Sequence, residues 1–289
     1  MDIVAQMKET GITAVFFPSE SLSAFSFQYG STTRHQLDIY YPSDMGQQHP
    51  ILFYVYGGFV HGQRNRPAPA DLMYGNLGSY FSSRGFVTII PDYRLAPETT
   101  YPGPALDLRD ALAWAISHPD VLGPGADIHS IFLLGHSSGA MHILTFFLEP
   151  SIHTAKIHPH IKGAIIASAL FNVDSEDMDE RLRQHVNAYY VSQEAAAMQS
   201  PLALLRQAPN TALPDISLII CAHDPGWLKL DLLKSYGILR RRLVKLHGKE
   251  PKIIRAEGHN HISLPLALGT GQGEDWAEEA IAWMGALGA

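Results

Sequence analysis

The chain has a single cysteine, few charges and no long hydrophobic run. Each shortage excludes something. Cys221 cannot close an internal disulfide, and it sits within an apolar run, which points to a reducing, cytoplasmic setting. Charged residues make up only 17% of the chain, and 21 basic against 28 acidic side chains leave a net charge of -7. With no basic stripe, nucleic acid is not an expected partner. No apolar stretch approaches the roughly 20 residues of a membrane span. The start, Met1 to Lys8, lacks the basic residues and apolar stretch of a secretory signal. Internal repeats, low-complexity tracts and linkers are also missing.

What remains is a chain of 289 residues, 46% of them apolar. That is enough for a sizeable core and a single large domain spanning residues 1–289. Residues 1–24 are mixed, with Phe16-Phe17-Pro18 suited to a lid or rim. Phe25 to Tyr29 and His35 to Tyr41 alternate apolar with polar, as half-exposed edge strands do. Ile51 to Tyr56 is a continuous apolar run ending in Gly57-Gly58, the pattern of a buried central strand. Further strands are expected at Phe86 to Pro91, Ile131 to Leu134, Ile161 to Leu170, Ile216 to Ala222 and Lys252 to Ala256. Helices are expected at about Leu72 to Ser83, Leu106 to Ile116, Met141 to Leu148, Leu228 to Leu246 and Glu274 to Met284. Alternating strands and helices give an α/β fold, a parallel sheet covered on both faces. Residues 171–206 break the alternation. They are polar, acidic early and helix-prone, and read as a helical cap over the sheet's carboxyl edge, where parallel sheets keep their ligands.

The chemistry centres on Gly135-His136-Ser137-Ser138-Gly139. A Gly-x-Ser-x-Gly pentapeptide between strand and helix makes a tight turn that lifts the serine above the sheet, beside a helix N-terminus. A serine hydroxyl needs a base, and the base needs an acid to orient it. Asp224 follows the run Ile216 to Ala222, at a strand's carboxyl end and after Ser137 in chain order. His259 and His261, both after the last strand, are the candidate bases. Amides must also receive a substrate oxyanion. The Ser138 N–H, directly after the nucleophile, and the Gly57-Gly58 turn are the candidates. The histidine pairs 158/160 and 259/261 have no obvious third ligand, so no metal is expected. Phe59, Trp227 and Tyr189 or Tyr190 are candidate pocket linings.

Together with Pro91-Asp92-Tyr93-Arg94-Leu95-Ala96-Pro97-Glu98, Tyr101 to Asp107 and Trp114, these motifs make the chain resemble the α/β-hydrolase carboxylesterases of the hormone-sensitive-lipase type. It is similar also to the kynurenine formamidase-like esterases. The resemblance runs from about Tyr54 to His261. It implies an eight-stranded, mostly parallel sheet, ester or small-amide hydrolysis through an acyl-enzyme, and no cofactor. The family pattern also implies His261 rather than His259 as the base. One departure stands out. The family's oxyanion turn reads His-Gly-Gly-Gly, whereas this chain has Val55-Tyr56-Gly57-Gly58-Phe59. One alignment makes Gly57 and Gly58 the donors, the other Gly58 and Phe59.

The leading expectation is a serine esterase acting on a small or medium carboxylic ester. An arylformamidase, amidase or acyl transferase would use the same Ser137, Asp224 and His261, and a non-catalytic ligand-binding protein is the remaining alternative.

Overall fold

The structure, a computed structural model, describes residues 24–65, 72–173, 178–208 and 211–289. The lid or rim reading of residues 1–24 therefore falls almost wholly outside the described residues. An eight-stranded sheet forms the centre, in the order β1-β2-β4-β3-β5-β6-β7-β8. Its strands are β1 (Phe25–Gln28), β2 (Gln36–Tyr40), β3 (His49–Val55), β4 (Val87–Pro91), β5 (Ala126–His136), β6 (Ile161–Ala167), β7 (Asp215–Cys221) and β8 (Ile253–Ala256). Only the β1–β2 and β2–β4 pairs are antiparallel. From β4 to β8 every pair is parallel, so all the carboxyl ends of those strands open onto one edge.

Helices are α1 (Met73–Ser82), α2 (Gly103–Ser117), α3 (Pro119–Leu122), α4 (Ser138–Leu148), α5 (Glu180–Tyr190), α6 (Gln193–Gln199), α7 (Pro201–Gln207), α8 (Gly226–His247), α9 (Ser263–Leu266) and α10 (Asp275–Gly285). Two groups cover the sheet. Helices α2, α4, α7 and α8 pack in sequence on one another, while α1 meets α9 and is tied to α10 by the Tyr80 hydroxyl donating to Glu278. Strands β3 and β5 lie between them with Ile51 to Val55 and Ile131 to Leu134 fully enclosed. Burial on both faces explains why these strands are continuous apolar runs rather than alternating ones.

Two sequence expectations change. Strand β2 is not a half-exposed edge. It lies second in the sheet with Leu37 to Tyr40 buried, and its polar Asp38 is inside because Arg64 pairs with it at 2.9 Å. Strand β6 stops at Ala167 rather than Leu170, because Ser168 turns the chain with φ 45°. Between β6 and β7 lie α5 to α7, each with a side-chain N-cap from Asp179, Ser192 or Ser200. Helices α5 and α6 share a small core of their own, in which Val186, Tyr189 and Tyr190 meet Phe59 and Met141 above the sheet's carboxyl edge, whereas Leu202, Leu204 and Leu205 of α7 join the main core.

Candidate active site

Strand β5 delivers Ser137 to that edge. The residue has φ 56° and ψ -124°, a conformation that a non-glycine residue holds only under the constraint of its surroundings. The first turn of α4 lies so close to the end of β3 that a β-carbon on Gly139 would lie 2.1 Å from the Val55 carbonyl oxygen. The turn therefore requires glycine there.

His261 bridges the two other candidates. Its Nδ1 lies 3.2 Å from Asp224 Oδ1 and its Nε2 lies 2.8 Å from Ser137 Oγ. With its Nδ1–H donating to Asp224, Nε2 is left to accept the proton of the serine hydroxyl. Burial pushes the Asp224 carboxyl up. The hydrogen bond and charge of His261, with the Ser168 hydroxyl, outweigh it and hold the group below the usual carboxylate range. Asp224 is thus an anion at neutral pH, suited to stabilise an imidazolium. His259, the other candidate base, is turned away. It is buried, with Nε2 on the Gly273 carbonyl and Nδ1 on the Ser263 hydroxyl. Both its nitrogens are committed to the loop.

The turn after β3 lies over the nucleophile. A β-carbon on Gly57 would come within 2.7 Å of Ser137 Cβ, so only glycine brings the backbone this near. The Gly58 N–H, expected to face substrate, instead donates to Ser138 Oγ at 2.8 Å. The Ser138 N–H heads α4, where the first amides have no intrahelical acceptor. Tyr56 takes the place where the resemblance led one to expect histidine or glycine. It is fully buried, stacked between Tyr74 and Tyr93. Its hydroxyl donates to Asp92 at 2.5 Å and accepts from Arg34 at 3.1 Å, while its carbonyl accepts the Tyr93 hydroxyl at 2.6 Å. Arg64 completes the brace, bonding Asp92 through its backbone N–H and its guanidinium. The Pro91-Asp92-Tyr93-Arg94 segment therefore supports the turn from below.

Above Ser137 opens a cavity of about 420 Å³. Phe59, Met141, Leu170, Leu182, Trp227, Leu228 and Ile262 make it mainly apolar, and Arg181 and His185 from α5 join the lining. Phe59 and Trp227 thus line the cavity as expected, whereas Tyr189 and Tyr190 pack in the core behind it. Two neighbours escaped the sequence reading. His136, fully buried with its ring 4.8 Å from that of His261, has its imidazole pushed down to about 3 by burial and by His261. Ser168 donates to Asp224 Oδ2 at 2.6 Å. Neither carries a sequence signal beyond standing at a strand's carboxyl end. Among the described residues no group of three or more metal-ligating side chains is present.

The fold is that of the α/β-hydrolases, and comparison with known proteins agrees. Residues 37–150 match the family BD-FAE. A kynurenine formamidase from Danio rerio is 25% identical over 198 residues, covering 68% of this chain and 61% of that protein. Esterase LipC from Mycobacterium tuberculosis is 34% identical over 113 residues, 38% of this chain and 26% of that protein. The chain thus spans less than two thirds of the length of these relatives. Among solved structures, esterase B from Lactobacillus Rhamnosis superposes with a TM-score of 0.77 over 98% of this chain and 91% of that one, at 15% identity. That likeness concerns the fold.

Proposed function

We propose that this chain is a serine hydrolase that cleaves a small or medium carboxylic ester through an acyl-enzyme. The observation that carries the reading is the single imidazole, His261, in hydrogen-bond reach of both Ser137 Oγ and Asp224. Ser137 Oγ attacks the ester carbonyl and its proton passes to His261 Nε2. The tetrahedral oxyanion is received by the amides of Ser138, Gly57 and Gly58, the last exchanging the Ser138 hydroxyl for the substrate oxygen. Collapse breaks the bond to the alcohol, which leaves with the proton held by His261. Water then repeats the sequence on the acyl-enzyme, returning Ser137 and releasing the acid. Asp224 keeps the imidazole in the required tautomer throughout. No step calls for a metal or organic cofactor.

In this reading residues 1–289 work as one hydrolase domain, and residues 171–206 cap the site and bound the apolar cavity. The protein works in the cytoplasm. Ser137→Ala is expected to lower p-nitrophenyl acetate turnover by at least about 10⁴-fold and to abolish labelling by a fluorophosphonate. Persistent turnover or labelling in that variant overturns the reading.

A second reading has support from the formamidase relative, since hydrolysis of an N-formyl arylamine needs the same three residues. Release of formate from N-formylkynurenine, measured beside that of acetate from an aryl acetate, separates the two. A much higher kcat/KM on the formamide favours this alternative.

A further inference from the structure

Beyond Ser137, His261 and Asp224 stands a fourth side chain. Ser168 follows directly on β6 and is buried, with φ 45°. A serine held in the left-handed region is strained, and such strain persists only where the surroundings enforce it. Here the backbone N–H donates to the Ile219 carbonyl of β7 at 3.0 Å, which anchors the residue to the strand leading to Asp224. The turn aims its hydroxyl at Asp224 Oδ2, 2.6 Å away. Asp224 Oδ1 faces His261, so the two carboxylate oxygens are divided between two partners. The Cys221 N–H approaches Oδ2 only at 3.3 Å, which leaves Ser168 as the short bond on that side.

We infer that Ser168 is a positioning residue for the proposed hydrolysis, its hydroxyl fixing the Asp224 carboxylate in the plane from which it orients His261. The inference rests on the serine-hydrolase reading of Ser137, His261 and Asp224. Held on that side by the longer Cys221 N–H bond alone, the carboxylate would rotate about its χ2, and the imidazole would follow it. The hydroxyl also shares the negative charge of Asp224, and so moderates how strongly the carboxylate favours a protonated His261. The other titratable groups around Asp224 are the buried His136 at the end of β5, Cys221 at the end of β7, and His223 beside it. Lys229 of α8 also lies here, its ammonium donating to the Ala222 carbonyl at 3.0 Å. Of these, Cys221 also meets the Ser168 hydroxyl, its Sγ 3.3 Å away.

The backbone conformation supplies the control. Ser168→Gly removes the hydroxyl and suits the positive φ, whereas Ser168→Ala removes it and keeps the strain. Both are made in the full chain and assayed on p-nitrophenyl butyrate from pH 5 to 9, with thermal melts to verify folding. In both variants kcat is expected to fall about tenfold with KM within twofold of the parent. The acidic limb of the kcat/KM profile should move to higher pH, because a less-shared carboxylate charge favours the protonated imidazole. Parental kcat in Ser168→Gly, a loss in the alanine variant alone, or loss in both with an unmoved acidic limb each overturns the inference. Ser137→Ala, assayed alongside, tests the parent reading separately. If it remains active the serine-hydrolase reading itself has failed, whereas an inactive Ser137→Ala beside a fully active Ser168→Gly refutes only the role given to Ser168.

Discussion

Tyr56 carries the brace beneath the site on one hydroxyl. Burial and the neighbouring Asp92 push that phenol well above its ordinary pKa, so it stays protonated and donates to the carboxylate at 2.5 Å. Tyr56→Phe keeps the stack against Tyr74 and Tyr93 but removes the bond to a charged acceptor, a change worth about 1.5–3 kcal/mol. The expected outcome is that much loss of stability in urea unfolding, with kcat on p-nitrophenyl butyrate down about tenfold as the Gly57-Gly58 turn loosens. Unchanged kcat would mean the turn does not depend on this residue. The three residues that meet at His261 were legible in the sequence because each follows a recognisable strand. The supports were not. Asp92, Arg34, Arg64 and Tyr56 come together from the loop before β2, the turn after β3 and the end of β4, and no local pattern announces such a convergence. Ser168 was hidden for the same reason, since its meaning lies in a carboxylate 56 positions later.

At the scale of elements, the strands at the centre of the sheet were legible because burial on both faces leaves an uninterrupted apolar run. Strand β2 was misread for a physical reason. Period-two alternation reports polar residues on one face, and an Asp38 paired inside with Arg64 looks the same as one facing water. The polar stretch at 171–206 announced helices through composition, and three of them occupy residues 180–207. Their relation to the cavity is set by the first turn of α5, where Asp179 accepts the Leu182 N–H at 2.9 Å and so places Leu182 against the cavity. Asp179→Ala removes this cap at a cost of about 1 kcal/mol. Esters large enough to reach Leu182, such as p-nitrophenyl octanoate, should lose several-fold in kcat/KM, while acetate should change less than twofold. Equal losses on both esters would show that α5 does not shape the substrate-binding end of the cavity.

For the whole molecule, acid stability depends in part on buried histidines that the fold keeps neutral. His142 lies on α4 among the rings of Phe59, Tyr93 and Tyr189. Neither ring nitrogen has a hydrogen-bond partner among the described residues. Burial pushes its pKa down to about 3, and His136 is pushed down to about 3 as well. A histidine depressed in the folded state takes up a proton on unfolding. Its contribution is fully present above about pH 6.5 and is lost as pH falls, by about 1.4 kcal/mol per unit for each residue. Asp231 works in the opposite direction. Burial raises it to about 6 despite the Phe171 and Asn172 amides it accepts, so between about pH 4 and 6 its contribution grows as pH falls, offsetting one of the two histidines. Replacing His142 with leucine removes one proton from this balance and leaves an apolar side chain in an aromatic nest. Urea unfolding of parent and His142→Leu from pH 8 to 4 should give a stability difference that is flat above about pH 6.5. Below that it should move in favour of the variant by about 1.4 kcal/mol per unit. A difference independent of pH would show that His142 does not enter the core uncharged, and that the acid sensitivity of the fold has another source.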